Sequence, residues 1–275
     1  LFMPVTDVTW EYINIMMLLM DAPNSAYVYD DLNGNAEPLK KFADQGLLDR
    51  TRAYKLSQLE ALTALATTGP EQALMEQNMY LAAQAMGLGG WIFGASAGPV
   101  VMGGTPLTPG LGFRFHQPEK AGPMPAPSWA GPPAPVPVGL DGLFEAYCPP
   151  YYRTMADAAQ AIYDAKWGTE GIYYHSPSPL RNRQSLDLQV SKTSDWCLEA
   201  TKTLCQYIWD TYGRFPATMD PMQMNIWFQA HHLETDFYDT YYQPGAYHKN
   251  IAEHMSKWHS TVGGRTAEPV GAASR

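Results

Sequence analysis

Charge is what this chain has least of. Charged residues make up 16% of its 275 positions, where about 25% is ordinary for a globular protein. The 27 acidic side chains outnumber the 18 basic ones, for a net charge of −9. That balance excludes a protein whose main task is to grip nucleic-acid phosphates or an anionic membrane surface. Cysteine is nearly as scarce. Cys148, Cys197 and Cys205 form no C-x-x-C pair, which argues against a disulfide framework and a cysteine-rich zinc module. Reduced thiols and a cytoplasmic location are the expectation. Long apolar runs are missing too. The longest, near Ile15–Met20, is far short of the roughly 18 residues of a membrane helix, so no membrane span is expected. No basic stretch precedes an apolar core, so no signal peptide is expected. A start at Leu1 reads as a processed or trimmed N-terminus. The strings G-x-x-x-x-G-K-[ST], G-x-G-x-x-G and G-x-S-x-G do not occur, and no internal repeat is apparent.

Core-forming material is plentiful, with 45% hydrophobic residues. Gly and Pro, at 23 each, stay below the range of about a quarter to a third that marks disordered chains. Trp10 to Met20 reads as a buried helix, with Trp10, Ile13, Met17 and Met20 on one stripe and Asp7 as its cap. Asp30-Asp31-Leu32-Asn33-Gly34-Asn35 reads as a solvated turn. Its two carboxylates lack the ligand series of a calcium loop. Thr68 and Glu71 have capping-box spacing, and the helix they open carries Leu74, Met75, Met79, Leu81, Ala82 and Met86. So broad an apolar surface predicts burial on most sides. Gly87 stops that helix, Trp91-Ile92-Phe93 follows as a short buried strand, and Leu111 to Phe115 as another.

Residues 118–139 are dense in Pro, Ala and Gly and favour extended backbone. They form a linker or, given Trp129 in their midst, an arm across a neighbouring surface. Beyond them the pattern is mainly helical. Thr154 caps a helix carrying Met155, Ala158, Ala159 and Ile162, which ends at Gly168. Leu198, Thr201, Cys205, Ile208 and Tyr212 mark a second, stopped by Gly213. Asp220-Pro221 predicts a third, with Ile226, Ala230, Leu233 and Phe237 on its core face. Ile251, Met255 and Trp258 predict a last short helix before a disordered tail over 263–275.

The most specific string is LAAQAMGLGGWIFGA, Leu81 to Ala95. With QNMYLAAQA before it and LGFRF at 111–115 after it, it resembles the nitroreductase-like flavoprotein family over about residues 70–116. The resemblance implies an α+β fold, with a nitroreductase-like core over 1–117 and a mainly helical extension over 140–262. It also implies a homodimer that carries FMN and passes hydride or electrons from a reduced nicotinamide to a small aromatic acceptor. By the same resemblance Phe93 and Gly94 touch the reactive part of the flavin ring. Gly87, Gly89 and Gly90 supply the tight turn before it, and Trp91 is a candidate wall of the substrate pocket. Close backbone approach to a ring is a physical reason for glycine there, although a helix stop followed by a strand needs glycine without any cofactor. The family's arginine-rich phosphate motif is not seen. Arg114, Arg181 and Arg183 are the basic residues at hand. A flavin-free subunit in a homodimeric or heteromeric assembly is therefore the alternative reading.

A second constellation is HHLETDFYD, His231 to Asp239. On a helix, His231 would share a face with Glu234, and His232 with Asp236. Those four residues are the candidate metal ligands, with His248, His254 and His259 available to complete a site in space. The plainer reading is a polar helix face of His–carboxylate pairs, because the string does not match H-E-x-x-H. Cys148, in FEAYCPPYY, lacks a local histidine partner and reads as packing rather than as a nucleophile. The adjacent pairs Tyr151-Tyr152, Tyr173-Tyr174 and Tyr241-Tyr242 suit a contact surface or ligand pocket.

Overall fold

A computed structural model describes residues 1–65, 69–94, 98–103, 110–119, 135–175, 181–182, 184, 189–219 and 226–259. They mix helix and strand, as an α+β chain should, in two compact units whose segments interleave along the sequence. The larger takes its residues from Val5–Gln72 and Ala95–Asn225; the smaller takes Leu1–Pro4, Ala73–Gly94 and the chain from Ile226 onward. No helix among the described residues is long and apolar enough to cross a membrane.

The larger unit is organised by helix α1 (Val8–Met20). Its cap is the expected one: an Asp7 carboxylate oxygen accepts from the backbone of Thr9 at 3.0 Å and of Trp10 at 3.1 Å. Tyr12, Ile13, Met16, Met17 and Met20 are buried, a spacing that gives one helical stripe. Trp10 is partly buried and packs its ring edge against Tyr147. Strand β1 (Ala26–Tyr29) follows, then helix α2 (Lys40–Asp44), strand β2 (Asp49–Lys55), parallel to β1, and helix α3 (Leu56–Thr63).

Helix α4 (Gly69–Ala85) and strand β3 (Gly89–Phe93) come next, then the short helix α5 (Gly98–Met102). Strands β4 (Phe113–His116), β5 (Val136–Leu140) and β6 (Phe144–Glu145) form an antiparallel sheet in that order. Helix α6 (Met155–Trp167) is capped by the Thr154 hydroxyl. The one-turn helix α7 (Ile172–His175) precedes α8 (Asp195–Tyr212). α8 buries Leu198, Thr201, Cys205, Ile208 and Tyr212, and ends where Gly213 turns left-handed at φ +65°. α1, α6 and α8 share the main core, and the alanines at 158, 159 and 200 bring the helices close. Cys148, Cys197 and Cys205 are free thiols buried in that core, and burial pushes Cys148 and Cys197 up to about 12.

Two buried carboxylates brace this unit. Asp30, just after β1, accepts hydroxyl hydrogen bonds from Tyr207 at 2.8 Å and Tyr212 at 2.6 Å. Glu60 of α3 accepts from the backbone of Ala217 at 2.7 Å and of Thr218 at 2.6 Å, and from the Thr218 hydroxyl. Buried charge is tolerated only where such donors replace water.

The smaller unit departs from the sequence expectation in three places. Over its described length α4 buries only Glu76 and Ala83, while Leu74 and Leu81 are 65% and 53% exposed. The broad apolar surface is therefore not a buried one. Strand β3 forms where expected but is not buried throughout, since Trp91 is 59% exposed. The helix expected across Ile226 and Phe237 is instead strand β7 (Trp227–His231), antiparallel to β3, followed by the short helix α9 (Thr235–Tyr241). Pairing decides this. Gly89 lies opposite His231 and Gly90 opposite Ala230, and a Cβ on Gly90 would meet the Phe228 ring at 2.8 Å. A non-local partner with space for bulky side chains outweighs a weak local helical pattern. Helix α10 (Lys249–His259) matches the last helix expected. Thr68, the Asp220-Pro221 start, Trp129, Arg183 and the 263–275 tail lie outside the described residues.

Candidate metal centre

The end of β7 and the outer turns of α10 bring three imidazoles together. His232 leaves the strand immediately after His231, and α10 contributes His254 and His259. One potential ligand nitrogen from each lies within 4.8 Å of the other two. His232 Nδ1 and His254 Nε2 are 3.2 Å apart. Two nitrogens bound to one tetrahedral zinc at about 2.0–2.1 Å would be about 3.3 Å apart, so this pair already has ligand spacing. The His232 and His259 ring centroids lie 4.0 Å apart. His259 Nε2 is buried with no hydrogen-bond partner.

Local packing explains why α10 arrives at this place. Gly87 ends α4 at φ +76°, a conformation glycine adopts at no steric cost. A Cβ there would strike the Asn250 carbonyl oxygen and approach His254 Cβ to 2.6 Å. The missing side chain is thus the space in which α10 sits. The Asn250 amide secures the seat by donating to the Gln84 carbonyl oxygen. Burial, and then His259, His254 and His231 in turn, hold the His232 imidazole below its usual pKa. No carboxylate belongs to the group. The neutral imidazole is the form that coordinates a metal, and the shift of His232 favours that form.

Of the four ligands expected from sequence, only His232 enters this cluster. His231 points elsewhere: a Cβ on Gly89 would lie 2.6 Å from its Nε2, and its Nδ1 is buried without a partner. Glu234 precedes α9 and Asp236 lies in its first turn, and neither belongs to the group. His254 and His259, available from sequence to complete a site in space, join it instead. Their H-x4-H spacing falls within the H-x3–5-H range of zinc ligand pairs, and is the sequence signal that could have found them. His248 is not part of it.

The glycines of the flavoprotein-like string can be tested as a cofactor cradle. Positions 87, 89 and 90 open toward Asn250 and His254, toward His231, and toward Phe228 and Tyr80, respectively. The chain's own groups fill the space that glycine leaves on both faces of the strand. Phe93 pairs with Trp227, its ring lies 5.0 Å from that of Trp91, and Gly94 follows the strand end. The chain's own groups thus account for the glycines at 87, 89 and 90. Arg114, the nearest candidate phosphate contact, pairs instead with Asp141 and Glu145.

No family model matches the chain, and neither a curated protein nor a solved structure resembles it significantly.

Proposed function

We propose that this protein binds a divalent first-row transition ion of the zinc class through His232, His254 and His259, and that its activity runs through that ion. The 3.2 Å approach of His232 Nδ1 to His254 Nε2 carries the reading. An all-nitrogen donor set favours zinc, copper or nickel over magnesium or calcium, which call for oxygen ligands. Three protein ligands leave a coordination position open, and His232 is on the exposed side of the cluster. Such an ion supplies Lewis acidity at its open position. The chain's part is to hold the three imidazoles within reach of one ion. Flavin chemistry is not part of this reading, because the glycine string packs against the chain itself.

Isothermal titration of the full-length chain with zinc chloride tests it. One ion should bind per chain, and His254→Ala should weaken binding at least tenfold. Absence of binding at micromolar zinc, or equal binding by the variant, refutes the assignment.

A second reading, a subunit that associates with another copy, draws on α4. That helix exposes Leu74 and Leu81 two turns apart while burying Glu76, an inverted pattern that fits an interface. Sedimentation should then show a dimer that Leu81→Glu dissociates. A monomer at all concentrations removes this reading.

A further inference from the structure

We infer that the ion proposed above also fastens helix α10 to the smaller unit, so that docking of α10 depends on the metal. The inference rests on the three-histidine reading and adds a conformational role to it. α10 is eleven residues long, too short to be a stable helix in water by itself. It therefore needs tertiary anchors, and it has few. Ile251 is its one buried residue, and Trp258 is 63% exposed. Its described polar tie to α4 is the Asn250 amide on the Gln84 carbonyl. A further attachment is the histidine group, in which His232, just after β7, meets His254 and His259 of α10.

The placement of those ligands matters more than their number. His232 and His254 are 22 residues apart, and the chain between β7 and α10 contains only the short α9, which buries none of its residues. Bringing the ends of such a loop together costs chain entropy. A bond through a metal opposes that cost in a way that a lone hydrogen bond between exposed His232 and half-buried His254 cannot, because ligation energy becomes folding energy. Gly87 shows that the seat is shaped for α10: any side chain there would block Asn250 and His254. The seat is thus built to receive the helix, while the apolar contacts that would hold it without the ion are sparse. In the metal-free protein α10 leaves its seat, and the metal returns it.

Hydrogen exchange read by mass spectrometry on the full-length chain tests this, with zinc chloride or with a chelator. Peptides spanning 249–259 should exchange at least tenfold more slowly with zinc. Peptides of α8 should not change, which reports that the larger unit stays folded throughout. His232→Ala should abolish the zinc effect although the altered residue lies outside α10. Zinc binding by calorimetry is measured on the same samples. Stoichiometric binding with α10 equally protected in both conditions overturns the inference and leaves the metal site standing. Failure to bind zinc overturns both.

Discussion

Removing the Glu60 carboxylate tests whether a buried acid on α3 holds the 217–218 segment in place. Three donors converge on it: the backbone N–H of Ala217, that of Thr218, and the Thr218 hydroxyl. Ala217 is fully buried, so Glu60→Ala leaves its N–H without a partner, at a cost of about 1–3 kcal/mol. Thr218 is only partly buried and recovers water, so its two lost bonds cost about 0.5–1.5 kcal/mol each. The total of about 2–6 kcal/mol spans the range of about 3–5 kcal/mol for breaking a buried charged interaction from one side. Glu60→Gln keeps one acceptor oxygen but turns an amide toward a donor, and should cost about half as much.

The pH dependence has a definite sign. Burial raises the Glu60 pKa above the ordinary glutamate value, against the opposing pull of its hydrogen bonds. The folded state therefore holds its proton to higher pH than the unfolded state. The associated stability is fully present below the unfolded pKa and is lost as pH rises through the folded one. Urea melts of wild type and Glu60→Gln from pH 4 to pH 7 should show the wild type losing more stability across that window. A loss below about 1 kcal/mol for Glu60→Ala, set against the range above, refutes the bracing role. A stability difference that grows in favour of wild type with rising pH refutes the sign.

Two further expectations follow from burial and backbone geometry. The core thiols should resist iodoacetamide at pH 8, since Cys148 and Cys197 are pushed up to about 12 and Cys205 higher still. Intact mass should show no adducts on the native protein and three after unfolding, and rapid native labelling contradicts the burial. Gly87→Ala places a Cβ at φ +76° against Asn250 and His254. It should cost more than the roughly 1 kcal/mol of a left-handed conformation alone and weaken zinc binding at least tenfold by displacing α10. Unchanged zinc affinity refutes the seat described for α10.

Local signals were legible wherever the chain carries its own punctuation. Asp7, Thr154 and Gly213 sit at helix ends because capping is chemistry within one turn of backbone, and each was readable from its neighbours. The stripe of Ile13, Met17 and Met20 was readable for the same reason. Burial of α4 was not. Its apolar spacing states that one side can be covered, but what covers it lies elsewhere in the chain, and Leu74 and Leu81 stand uncovered. Residues 226–237 show the same limit in secondary structure. The stretch that reads as a helix becomes β7 and α9 because β3 offers it an edge with two glycines.

The candidate site was half legible. A histidine-rich string marked His232, but the helical spacing that paired it with Asp236 vanished once the strand formed. Its partners proved to be 22 and more residues away. Asp30 and Glu60 were missed as interior carboxylates because nothing in a single acidic residue announces that tyrosines or amides more than 150 positions distant will replace its water.

By itself the sequence determined the composition of the core, the helix ends, the scarcity of charge and the residue types available for chemistry. These follow from side-chain identity and from interactions within a few residues. Tertiary structure alone decided which apolar face is covered, which segment pairs as a strand, and that His232, His254 and His259 meet. Each of those outcomes depends on a contact between distant parts of the chain, whose energy no local window contains.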